Sequence, residues 1–248
     1  AAADDRCDVG NHLVTQSPVA LVAGAGGAGA ATALALSASG FHVVVVDSRL
    51  EPAQAVVDSL VAAGGTGQAQ AVDLLEADAV VALRHELVAH LGRVDVLVHL
   101  VGGWRGSPSL DLASVDNWTA LHPPVVGTLA TLTAVFGEVV RSAPAGRIFM
   151  VTSTAAARPT AGNIAYSAAK RAAEAWMEGV AAYFEGSSAS SVTVAVKALL
   201  TDRMVADDPA KTWPGYTHVR DLADAITRAC VAPIGNGQRL DLTTGAPA

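Results

Sequence analysis

The chain of 248 residues is 51% hydrophobic and 16% charged, with a formal net charge of -7. That length suits one large α/β domain or two small ones, and the negative balance, with no Lys/Arg run, argues against a nucleic-acid surface. Its two cysteines, Cys7 and Cys230, form no C-x-x-C pair, which argues against a disulfide framework or zinc site and points to a reduced, cytoplasmic setting.

Residues 1–17, opening AAADDRCDVG, lack the charged-then-apolar layout of a leader and read as an irregular arm. Residues 18–248 read as a single domain with no linker or repeat. No run of about 20 uninterrupted apolar residues occurs, so no membrane span is expected. VALVAG (19–24) reads as a short buried strand, and AGAATALALSASG (28–40) as a helix stopped by Gly40. FHVVVVD (41–47) is a β-branched strand, followed by a helix over 51–63 and a weaker strand, QAQAVDL (68–74). ADAVVALRHELVAHLG (77–92) reads as a helix stopped by Gly92, and VDVLVHLVGG (94–103) as a strand and turn. Residues 115–141 read as a long apolar helix broken at Pro123 and Pro124, since proline lacks the N–H and clashes with the preceding turn. GRIFMVTS (146–153) is a strand, 165–186 a helix, SVTVAVKALL (191–200) a strand, and the segment to 218 irregular. VRDLADAITRACV (219–231) is a helix and GQRLDLTTG (237–245) a last strand. This alternation predicts a doubly wound, mostly parallel sheet of about seven strands with helices on both faces.

The first strand-to-helix turn carries Gly24, Gly26, Gly27 and Gly29, which satisfy two overlapping glycine spacings. Such glycines let the backbone turn tightly and approach a pyrophosphate at a helix N-terminus. A plain glycine-rich turn is the alternative. Asp47 ends the second strand, where a carboxylate can hold the adenosine ribose hydroxyls and repel a 2′-phosphate. That favours NAD over NADP, with Arg49 nearby weighing the other way. Asp73, with Leu74 beside it, closes the third strand and is a candidate adenine contact or a turn residue.

Tyr166 and Lys170 in AYSAAK lie four apart on a helix and project from nearly one face. A nearby ammonium favours the phenolate and lowers the tyrosine pKa, which would let Tyr166 exchange a proton with a substrate oxygen. Ser153 ends the fifth strand, and ligands of parallel α/β sheets gather outside the carboxyl ends of the strands.

With AGAGGAG, Asp47, VDL, DVLVHLVGG, VTS and AYSAAK in place, the chain resembles the short-chain dehydrogenases/reductases over roughly residues 18–245. The resemblance implies a Rossmann-like fold and a nicotinamide cofactor held also by Val101, Gly102, Lys170 and Thr201. It implies Tyr166 as general acid/base, Ser153 as the group that polarises the substrate oxygen, and Lys170 as the residue that tunes Tyr166 and binds the nicotinamide ribose. It also implies a homodimer or homotetramer, for which the Ala-rich helix with Trp176 and Met177 suits close packing.

The chain departs from the family pattern in four places. Ala23 stands for the usual Thr in a glycine loop one residue short. HLVG, His99 to Gly102, replaces Asn-Asn-Ala-Gly. Leu199 and Leu200 replace Pro-Gly, and the proline pair replaces the family's helix Asn. Counting back from Gly127 reaches Pro124, while counting forward from Trp118 needs a one-residue gap, and neither register supplies an Asn. A proline kink would then leave upstream carbonyls to hold the water that the family's Asn helps to hold.

HELVAH (85–90) mimics a zinc motif, but His85 and His90 are five apart and face different ways on a helix, so no metal is expected. Trp104, Met204, Trp213 and Tyr216 are candidate walls of an apolar or aromatic small-molecule pocket, or else loop packing. The leading reading is an NAD(H)-dependent oxidoreductase on an alcohol/ketone pair. The rival is a nucleotide-binding relative with lost or altered catalysis.

Overall fold

The computed structural model describes residues 17–243, so most of the expected arm, Cys7 and the end of the expected last strand lie outside the described residues. Seven strands form one parallel sheet in the order β3-β2-β1-β4-β5-β6-β9. They are β1 (Val19–Ala23), β2 (His42–Asp47), β3 (Thr66–Ala71), β4 (Val96–His99), β5 (Arg147–Ser153), β6 (Ser190–Val196) and β9 (Gln238–Asp241). The β-branched run of β2 pairs with β1 and β3 and buries all four valines, as a strand covered on both faces requires.

Alternation along β1 builds two core layers. Val19, Leu21 and Ala23 face α3 (Ala77–Leu91), the long central helix and α6 (Ile164–Tyr183). Ala20 and Val22 face α1 (Gly27–Ala38), α2 (Leu50–Ala62) and α8 (Val219–Val231). Helix α3 ends at Gly92 in the left-handed region, with φ 77°, a conformation glycine adopts without a Cβ penalty. Met177, expected to serve an interface, is buried in the core, whereas Trp176 on the same helix is 42% exposed.

Two expectations need correction. The segment 200–218 is not irregular throughout: β7 (Leu199–Leu200) pairs in parallel with β8 (Thr217–His218), and α7 (Asp202–Asp207) lies between them. The helix at the prolines does not break. It runs from Leu112 to Arg141 as α4 (Leu112–His122), a π-helical turn (Pro123–Gly127) and α5 (Thr128–Arg141). Pro123 holds φ -59° and ψ -54°, so its locked φ fits the helix. The missing N–H groups are absorbed by widening the turn, and the Thr128 N–H reaches the Pro123 carbonyl five residues back. Packing of Leu121, Val125, Leu129, Leu132 and Phe136 into the core holds the chain there. By length and composition this helix could cross a membrane, but that apolar face is spent on the sheet.

Candidate active site

The chain order reverses between β1 and β4, and such a switch point opens a crevice outside the carboxyl ends of the strands. A cavity of about 650 Å³ lies there, lined by Val101, Gly102, Trp104, Ser153, Tyr166 and Lys170 among others.

The glycine loop enters from β1. Gly24 sits at φ +101°, and a Cβ on Gly29 would lie 1.8 Å from the Gly24 carbonyl oxygen. These two glycines are therefore imposed by the backbone. A Cβ on Gly27 would meet the Thr201 methyl at 2.8 Å, whereas one on Gly26 would meet nothing within 4 Å. Gly26 caps α1 without a side chain, and the first turn holds no acidic residue. The first N–H groups of a helix lack intrahelical partners, so this cradle fits a phosphate group. Asp47 is tied to the loop, accepting from the Ala25 N–H at 3.0 Å and from the Arg49 N–H at 3.3 Å.

Ser153, 3% exposed, donates through Oγ to the Lys197 carbonyl at 3.3 Å and accepts from the Ala155 N–H at 3.2 Å. Tyr166 stands in the first turn of α6 and Lys170 one turn on. The Lys170 ammonium donates to the Val151 carbonyl at 2.8 Å and lies 5.9 Å from the centre of the Tyr166 ring. Burial raises the Tyr166 pKa, opposed by a hydrogen bond with Ser153. The expected lowering by Lys170 is thus not realised, because the phenol is desolvated and the ammonium is occupied elsewhere. Burial brings Lys170 itself down to about 8, against the opposing pull of Glu174.

Glu174 was not singled out from the sequence. It is buried and accepts from Thr152 at 2.8 Å, Arg171 at 2.8 Å and Arg239 at 2.9 Å. It therefore links the end of β5 to α6 and β9. Only its position four residues after Lys170 hinted at this.

His99 ties β4 to the proline turn. The Thr128 hydroxyl donates to the Pro124 carbonyl at 2.8 Å. A hydroxyl has one proton, so His99 Nε2 must be the donor in its 2.8 Å bond to Thr128 Oγ1. Burial, with the Lys170 charge assisting, lowers His99 to about 3 and keeps the ring neutral. The Pro124 carbonyl is thereby taken by a hydroxyl of the protein. Val125, in the same turn, comes against Gly102: a Cβ there would lie 3.6 Å from Val125 Cγ2 and 3.9 Å from Lys170 Nζ.

The remaining candidates divide. Trp104 and Tyr216 line the cavity, as do His99, Asn163 and Lys197. Met204 and Trp213 are not among its lining residues: Trp213 packs edge-on behind Tyr216 with ring centres 5.2 Å apart, under Lys211. Thr201 caps α7 through the Met204 N–H and rests on Gly27 beside a neighbouring groove. Asp73 accepts from the Leu75 N–H at 2.9 Å, the turn role, and the Leu74 side chain belongs to the core. Among the described residues no group of three His, Cys, Asp or Glu could hold a metal. The Cys230 thiol is pushed up to about 12 by burial.

This is a doubly wound nucleotide-binding architecture with a Ser-Tyr-Lys cluster at its switch point. A family model described as short chain dehydrogenase matches residues 18–208. The chain is 34% identical over 233 residues to the short-chain reductase protein NovJ of Streptomyces niveus, covering 93% of this chain and 86% of that one. A match to a short chain dehydrogenase of Pseudocercospora fijiensis, 29% identical, covers 79% of this chain but only 64% of that protein's length. Among solved structures, a metagenomic short-chain oxidoreductase in complex with NADP is 26% identical with a TM-score of 0.75, over 91% of this chain and 98% of that one. A 7α-hydroxysteroid dehydrogenase complexed with NADH and 7-oxo glycochenodeoxycholic acid is 25% identical with a TM-score of 0.79, over 94% of this chain and 96% of that one. The chain belongs to the short-chain dehydrogenase/reductase family of oxidoreductases. Its fold is one that binds nicotinamide dinucleotides, and its structural neighbours include complexes of both NAD and NADP.

Proposed function

We propose that this chain is an NAD(H)-dependent oxidoreductase interconverting an alcohol and a ketone, with Tyr166 exchanging the proton at the substrate oxygen. The observation that carries this reading is the convergence of Ser153, Tyr166 and Lys170 on one cavity beside the glycine loop. Gly24, Gly26, Gly27 and Gly29 with the start of α1 would hold the pyrophosphate, Asp47 the adenosine ribose, and Val101, Gly102 and Thr201 the nicotinamide end. When bound, the nicotinamide supplies or accepts the hydride.

Desolvation keeps the Tyr166 phenol protonated, which suits a donor to a ketone oxygen during reduction. Ser153, beside Tyr166 on the same cavity, would help to orient that oxygen. A Lys170 ammonium released from the Val151 carbonyl would stabilise the phenolate left behind. Asp47 supports NAD, since a carboxylate beside a 2′-phosphate is repulsive. A homodimer or homotetramer in the cytoplasm belongs to the same reading, supported by the exposed Trp176 and Tyr183 along the groove between α5 and α6. One observation favours the rival of altered catalysis: Lys170 is engaged away from the Tyr166 ring.

The test follows the reduced-nicotinamide absorbance band with an alcohol and ketone panel, beside an NADH binding titration. Turnover is expected, cut about a hundred- to ten-thousand-fold in Tyr166→Phe, with the variant still folded by thermal melting. Binding without turnover, indifferent to Tyr166→Phe, overturns the enzyme reading and leaves the rival.

A further inference from the structure

We propose that the Lys197 ammonium anchors a carboxylate on the substrate, so that the cavity takes keto and hydroxy acids in preference to their neutral esters. The proposal rests on the oxidoreductase reading for the bond that changes, and adds the charge of what is bound.

Lys197 directly follows β6 and lines the cavity. Its backbone carbonyl accepts from Ser153 Oγ at 3.3 Å, so its main chain flanks the place where a substrate oxygen would sit, while its exposed side chain runs out along Gly215. Its ammonium donates to the Pro214 carbonyl at 2.9 Å, two residues before Tyr216, another lining residue. A carbonyl takes one of the three ammonium protons and none of its charge. No carboxylate among the described residues forms an ion pair with Lys197, whereas Arg93, Arg171, Arg220 and Arg239 all hold one.

The charge of the lining points the same way. Of its residues Lys170 and Lys197 are basic, His99 is neutral and none is acidic, in a chain with 23 acidic against 16 basic residues. A cleft lined by one sign of charge concentrates ligands of the other. Lys170 has a role in the proton chemistry; Lys197 has none. The nucleotide's pyrophosphate is served by the glycine loop. A single ammonium matches a monoanionic carboxylate, whereas phosphate recognition favours the forked guanidinium of Arg. Since the Lys197 main chain flanks Ser153 and its ammonium reaches the Pro214 carbonyl, the carboxylate belongs a lysine stem's reach from the reacting carbon, with Trp104 and Tyr216 as apolar walls.

Benzoylpropionate and its methyl ester, which differ in that charge, test the idea. Two readouts apply: kcat/KM with NADH, and quenching of tryptophan fluorescence in the NADH-bound protein, since Trp104 lines the cavity. The acid is expected to be preferred at least about tenfold at low ionic strength, with the ratio shrinking as salt is added. Lys197→Gln erases the ratio, Lys197→Arg keeps most of it and Lys197→Glu reverses it. A wild-type protein indifferent to the charge, or a ratio unmoved in Lys197→Gln, overturns the proposal. So does a loss of NADH affinity in Lys197→Gln with the ratio unmoved, which would assign the residue to the nucleotide. Equal turnover of acid and ester leaves the oxidoreductase reading standing while the proposal fails. A Lys197-dependent binding preference without turnover does the reverse.

Discussion

The glycine loop leads into Ala28, which lines the cavity, and the proline turn stands behind it with Val125 against Gly102, yet the two are held in place by different forces. In the loop, backbone sits against backbone: a Cβ on Gly29 would lie 1.8 Å from the Gly24 carbonyl oxygen, so the residue type is imposed locally. In the turn, two residues ill suited to a helix interior stay helical because Leu121, Val125 and Leu129 are packed into the core and Thr128 satisfies the Pro124 carbonyl. The first region obeys sterics that any reader of the sequence can apply. The second obeys tertiary packing, which outweighs a local penalty of about 3 kcal/mol.

The sharpest way to break this contrast is inside the loop. Gly29→Ala is expected to destabilise by about 3 kcal/mol, as a core clash does, and to abolish NADH binding, whereas Gly26→Ala stays within about 0.5 kcal/mol. Thermal melts and NADH titrations on both variants check this, and equal behaviour would remove the distinction between them.

Next in size is acid sensitivity at the other end. Burial holds His99 down at about 3 in the folded protein against an ordinary 6.5, so between those values the unfolded chain binds more protons and stability falls as pH falls. The loss amounts to up to a few kcal/mol across that window. His99→Asn removes this titration, so the gap between the two proteins' stability-against-pH curves should close toward pH 3. Parallel curves would mean that His99 is protonated in the native state.

The smallest effect belongs to Pro124→Asn, which returns the family's residue type to the turn. Because packing holds the turn, its melting temperature should move by only a degree or two, less than 1 kcal/mol. The pH profile of kcat should shift if the turn tunes proton transfer. An unchanged profile together with an unchanged helix would rule that role out.

Much of this was legible in the residues themselves. Period and β-branching located the seven strands, and the Tyr166–Lys170 spacing put both on one face of α6. What escaped was whatever depends on burial or distant partners. The raised Tyr166 pKa needs the desolvating cavity, and Glu174 reads as an ordinary helix residue until Arg239 arrives from β9. Lys197 looks like a strand-end lysine until its ammonium meets the Pro214 carbonyl. Met204 and Trp213 stand out in the sequence by apolarity, which cannot tell a cavity wall from the packing behind it.

The π-helical turn also bears on how this chain is compared with its relatives. Such a turn holds one residue more than an α-helical turn, and each residue rotates a helix by about 100°. Positions on either side of Pro123–Gly127 therefore belong to two numbering frames, offset by one. The disagreement between counting forward from Trp118 and counting back from Gly127 matches that surplus residue. An alignment drawn without a gap to a helix that is α-helical throughout will pair side chains that point in different directions.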